Sequence, residues 1–126
     1  MKKRFENQVA LVSGGADGLG KAIGSRLAAE GATVILADKD EAKLAVTVEQ
    51  LNEQDRTATG MPLDVTDERS VGKLYTQIAK QFGRLDVMVN SAGIVGPTNT
   101  PIQAYDTAAF DGIYQVNLKG TFLMTK

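Results

Sequence analysis

The chain contains no cysteine and no histidine. Without cysteine there is no disulfide, no thiol nucleophile and no thiolate metal site. Without histidine there is no His-dependent triad and no zinc site with imidazole ligands. A metal site would have to use oxygen ligands, and proton transfer would fall to carboxylate, tyrosine, lysine or water. An excess of one charge is also lacking: 14 Lys and Arg face 15 Asp and Glu, for a net charge of -1. That balance gives no general attraction to nucleic acid or to an anionic membrane. No apolar run approaches the ~18 residues of a membrane helix. The opening MKKRFENQ is basic, but no apolar stretch with a small-residue cleavage site follows it. The expectation is a soluble, cytoplasmic chain with neither nucleic acid nor membrane as partner.

What is present is an ordinary apolar share, 43% of 126 residues, and 13 glycines. That suits one globular domain, residues 1–126. Short β-branched runs alternate with longer stretches of helical spacing. Gln8 to Ser13 reads as a strand, Gly18 to Glu30 as a helix closed by Gly31, and Thr33 to Ala37 as a second strand ending at Asp38. Leu44, Val48 and Leu51 mark a second helix, and Thr57 to Leu63 a weaker strand. Thr66 is the expected cap of a third helix, with Asp67 and Glu68 in its first turn and Val71, Leu74, Ile78 and Phe82 on its face. Leu85 to Asn90 is a fourth strand, Gly93 to Pro101 a loop, and a last helix runs from about Asp106 to the end. Strands without polar alternation, separated by helices, imply an α/β fold with a doubly wound parallel sheet of Rossmann type.

Four glycines fall between Gly14 and Gly20, in the turn between the first strand and the first helix. Glycines there allow a tight turn and close backbone approach, and the helix start offers free N–H groups to a pyrophosphate. Asp38, 18 residues after Gly20, ends the second strand. An acid at that place accepts hydrogen bonds from ribose hydroxyls and repels a 2′-phosphate. Asp17 adds a second negative charge, and Lys39 is the one opposing charge in the immediate sequence. The balance favours NAD over NADP.

The glycine spacing, Ser13-Gly14, three residues, then Gly18-Leu19-Gly20, resembles the T-G-x-x-x-G-x-G motif of the short-chain dehydrogenase/reductase family. Asp64-Val65 after the third strand, Asn90-Ser91-Ala92-Gly93 after the fourth (similar to N-N-A-G), and Asn117 in QVNLKG match the same family in order. The resemblance implies a diphosphate loop of Gly14, Gly18, Leu19 and Gly20, with Ser13 keeping the hydroxyl of the usual threonine. It implies that Asp38 holds the adenosine ribose and Asp64 the adenine amino group, with Val65 beside it. Asn90, Ala92 and Gly93 would line the nicotinamide side. Asn117 would bend its helix and support, through water, the catalytic lysine of the family.

The family's acid/base pair is missing. It uses a tyrosine with a lysine four residues later, because a tyrosine near pKa ~10 is a poor base at neutral pH unless a cation lowers it. Here the residues four after Tyr75, Tyr105 and Tyr114 are Ala79, Ala109 and Leu118. Lys80 and Lys119 come five residues after a tyrosine, turned about 140° away on a helix. The resemblance thus implies the NAD-binding half of an oxidoreductase that moves hydride between NAD(H) and a secondary alcohol or ketone. The expected fold is cut after the fourth strand and following helix, and the chain alone is expected to be inactive. The resemblance implies that the outer side of the apolar last helix makes a homo-oligomer contact in the complete enzyme; burial under the missing half is the open alternative. Two other readings stay open. One is a stand-alone NAD-binding regulatory module. The other is a nucleotide-sugar or methyl-donor enzyme, against which stands the lack of an acid just before the glycine turn, where Leu11, Val12 and Ser13 lie.

Overall fold

The computed structural model describes residues 3–126. Four strands, β1 (Val9–Ser13), β2 (Thr33–Asp38), β3 (Thr57–Pro62) and β4 (Val87–Asn90), form one parallel sheet in the order β3-β2-β1-β4. The connections are α1 (Gly18–Ala29), α2 (Glu41–Glu53) and α3 (Glu68–Gln81). After β4 a long loop leads to α4 (Thr107–Ile113), a π-helical turn (Tyr114–Lys119) and α5 (Gly120–Thr125).

Period-two alternation divides the strand residues between two cores. Leu11, Ile35 and Met61 face Val71, Leu74 and Ile78 of α3 and Leu123 and Met124 of α5. Val12, Val34, Leu36 and Ala58 face Leu27 of α1 and Leu44 and Leu51 of α2. Burial on both faces is why β1 and β2 read as continuous apolar runs. The chain passes from β1 to β2 on one side and reaches β4 on the other, so the order reverses at β1. Such a reversal opens a crevice at the carboxyl ends of the strands.

All four α-helices α1 to α4 begin at an aspartate whose side chain accepts from a backbone N–H of the first turn: Asp17, Asp40, Asp67 and Asp106. The cap of α3 is therefore Asp67, not Thr66 as expected. The Thr66 hydroxyl is already committed, donating to Asp64 Oδ1 at 2.6 Å. β4 starts two residues later than expected because Asp86 turns aside, its carboxylate accepting from Val9 N at 2.8 Å. The last helix is not uniform either. Its π-helical turn brings Asn117 to the loop after β4, while Gly120 sits so close to Val65 that a Cβ would lie 2.7 Å from Val65 Cγ2. Among the described residues no helix is long and apolar enough to cross a membrane.

Candidate functional site

A cleft of about 510 Å³ lies at the carboxyl ends of the strands. Ten of the thirteen expected site residues line it: Gly14, Asp17, Gly18, Leu19, Gly20, Asp38, Asp64, Val65, Ala92 and Gly93. A larger hollow, about 760 Å³, lies between α2 and the outer edge of β3 and is lined by Leu44, Val48, Gly60, Pro62 and three glutamates. It lies away from the glycine turn, and none of the expected site residues lines it. The cleft at the strand ends carries the converging polar groups and is the better candidate.

The turn that forms its floor admits only glycine at two points. Gly14 has φ +66°, and a Cβ there would stand 2.8 Å from Ala92 N. A Cβ on Gly20 would stand 2.0 Å from Gly14 O, so a side chain would force the start of α1 off the turn. At Gly18 a Cβ would meet nothing within 4 Å, which leaves open space in front of the first turn of α1. Asp17 caps that turn, its Oδ1 accepting from Gly18 N at 2.8 Å.

Asp38 reaches back over the turn. Its Oδ2 accepts from Ala16 N at 3.0 Å and its Oδ1 from Asp40 N at 2.9 Å. A carboxylate has about four acceptor positions, so capacity for further donors remains. On the far wall, Asp64 Oδ1 accepts from both the backbone N–H and the hydroxyl of Thr66, and Lys39 Nζ stands 3.8 Å from its Oδ2. The Thr66 hydroxyl, then its N–H, then Lys39 hold the Asp64 carboxyl below the usual range. The Gly18 N–H, with Lys43 behind it, does the same for Asp17. Lys39 is thus not the one opposing charge near the site. Lys43, a turn into α2, stands 3.4 Å from Asp17.

The three other expected residues are not among those lining the cleft. Ser13 is buried, and its hydroxyl accepts from Ser91 N at 3.2 Å and Ala92 N at 3.3 Å, tying the end of β1 to the segment after β4. Asn90 pairs with Ser13 in the sheet register and is exposed. Asn117 clips the loop: its Oδ1 accepts from Ile94 N at 2.8 Å and its Nδ2 donates to Ile94 O at 3.0 Å.

Sequence reasoning read Thr66 only as a helix cap and missed Lys43 and the buried Thr47, whose hydroxyl donates to Ala16 O at 2.8 Å. Thr47 stands three residues after Leu44 and four before Leu51, a spacing that places it on the buried face of α2. None of the tyrosines has a lysine four residues on. Tyr75 lies on α3, its hydroxyl donating to Met124 O, and burial raises its pKa further from neutrality.

The model of the short chain dehydrogenase family matches residues 8–126. Levodione reductase from Leifsonia aquatica is 40% identical over 124 residues, covering 95% of this chain and 45% of the relative. Galactitol 2-dehydrogenase from Agrobacterium fabrum is 33% identical, covering 98% of this chain and 46% of the relative. A solved short chain dehydrogenase from Mycobacterium smegmatis superposes with a TM-score of 0.92 at 32% identity, covering 98% of this chain and 50% of that one. The chain spans about half the length of these relatives.

Proposed function

The chain belongs to the short-chain dehydrogenase family, and from that premise we propose that it forms the NAD-binding half of an oxidoreductase acting on a secondary alcohol or ketone. The observation that carries this reading is the convergence, in one cleft, of the glycine turn at the start of α1 with the carboxylates of Asp38 and Asp64. The residues fit a dinucleotide. A Cβ at Gly18 would meet nothing within 4 Å, so the space beside the first residue of α1 is open to a ligand, and a helix start offers N–H groups to a diphosphate. Gly14, Gly18, Leu19 and Gly20 would take the diphosphate, Asp38 the adenosine ribose and Asp64 the adenine amino group. Val65 would flank the adenine, and Asn90, Ala92 and Gly93 the nicotinamide side.

The bound cofactor supplies hydride exchange at the nicotinamide. This chain's residues do the binding and orienting. Asp38 accepts hydroxyl donors while holding the turn, and Ser13 and Asn117 fix the two ends of the Ser91 to Ile94 segment. A preference for NAD over NADP follows from charge. Lys43 is matched to Asp17 and Lys39 to Asp64, whereas Asp38's partners are two backbone N–H groups. A 2′-phosphate would meet the carboxylate without a neutralising cation.

Isothermal titration tests this. NAD is expected to bind the 126-residue chain at least tenfold more tightly than NADP, with no turnover of alcohol, since a lysine four after a tyrosine is lacking. Absence of heat with both cofactors on folded protein, or tighter binding of NADP, would reject it. The same proposal includes a homo-oligomer contact. Phe110, Tyr114, Leu118 and Phe122, spaced by four, are 59%, 46%, 62% and 57% exposed and form an apolar stripe along α4, the π-helical turn and α5. A cytoplasmic setting belongs to the same reading.

A further inference from the structure

We infer that Thr47, outside the cleft, is a positioning residue for the diphosphate turn: its hydroxyl fixes the peptide of Ala16 from behind while Asp38 fixes it from the side. The inference rests on the dinucleotide reading of the cleft.

Three polar residues are buried among the described residues: Ser13, Glu30 and Thr47. Ser13 ties β1 to the segment after β4, and Glu30 holds Arg4 and Arg26. Thr47 does something else. A helical threonine ordinarily turns its hydroxyl back to the carbonyl four residues earlier in its own helix. Thr47 instead donates across 31 residues to Ala16 O at 2.8 Å, at 2% exposure. Ala16 is itself buried, in the middle of the glycine turn. Its N–H donates to Asp38 Oδ2 at 3.0 Å, and the neighbouring Gly15 N–H donates to Ala37 O at 3.2 Å.

Both polar groups of Ala16 are therefore committed, one to α2 and one to the end of β2. Ala16 immediately precedes Asp17, the cap of α1, so its position sets where the first N–H groups of α1 point. Removing the Thr47 hydroxyl leaves Ala16 O buried without a partner. The turn can relieve that only by moving outward, which misaims the N–H groups for a diphosphate. Packing would survive, because valine keeps the shape of threonine without the donor.

The test compares wild type, Thr47→Val and Thr47→Ser in the 126-residue chain. Amide exchange is followed by NMR without ligand, and binding of NAD and of adenosine, which lacks the diphosphate, by calorimetry. In Thr47→Val the Ala16 amide should exchange about tenfold faster, with Leu11 and Ile35 unchanged. NAD should bind about fivefold to tenfold more weakly, with adenosine unaffected, and Thr47→Ser should restore both. Unchanged exchange at Ala16 would overturn the inference. So would an equal loss of NAD and adenosine, NAD binding equal to wild type, or faster exchange spread across β1 and β2. If wild type binds no NAD, the cofactor reading falls, and the Ala16 amide alone then decides whether Thr47 holds the turn.

Discussion

The sheet is covered unequally across its width. Leu11 and Val12 on β1 and Ile35 and Leu36 on β2 are fully buried, with helices on both faces. On β4, Val87, Met88 and Val89 are only half-buried and Asn90 is exposed. The glycine turn and Asp38 rise from the ends of the two buried strands. The Ser91 to Ile94 segment rises from the half-covered one and is held by side-chain ties from Ser13 and Asn117. Binding of a dinucleotide needs a fixed floor, and packing supplies it under β1 and β2. Under β4 the same fixity comes from hydrogen bonds.

Matched truncations separate the two mechanisms. Ile35→Ala empties a fully enclosed site and should cost about 2–5 kcal/mol. Met88→Ala, at a half-buried site on β4, should cost about 1 kcal/mol, because less apolar surface leaves water there on folding. Urea unfolding of both variants measures the difference. Equal losses would mean that β4 is as firmly packed as β2, and the contrast would fail.

The same contrast explains what could be read from sequence. β1 and β2 are legible because burial on both faces leaves a continuous apolar run, and the glycine turn because its demands are local. The cleft residues were found by order along the chain, which is why ten of them meet in one place. Thr47 escaped because its partner lies 31 residues away, and its place on the buried face between Leu44 and Leu51 does not say what its hydroxyl bonds. The cap of α3 was misplaced by one residue because the rival demand of Asp64 on Thr66 is not a helix signal. The π-helical turn depends on fitting Gly120 to Val65 and Asn117 to Ile94, contacts that no local spacing announces.

A second, smaller effect concerns the amino-terminal edge of the packed region. Glu30, at the end of α1, is bonded by Arg4 and by Arg26 at 2.6 Å. The Arg4 hydrogen bond first, then that of Arg26, holds its carboxyl down to about 2 against an ordinary 4.5. A folded pKa below the unfolded one means stability present above pH 4.5 and lost as pH falls toward 2. Glu30→Gln should therefore lower stability at pH 7 and flatten the acid limb between those values, as followed by thermal melts across pH. An acid limb of unchanged slope would show that the Glu30 carboxylate does not anchor Arg4 in the segment before β1.

The smallest expected effect on stability lies along the α4–α5 stripe. Leu118→Lys and Phe122→Ser remove apolar groups that are 62% and 57% exposed, so they should shift the unfolding free energy by no more than about 0.5 kcal/mol. Their effect should appear in association, because a stripe of this kind stays in water only until another surface covers it. Sedimentation of the wild-type chain should show self-association that weakens on dilution, and both variants should sediment as monomers at the same loading. A loss of more than about 1 kcal/mol in either variant would mean that the side chain is packed within one chain. A monomeric wild type would mean that the stripe is covered by something other than a second copy.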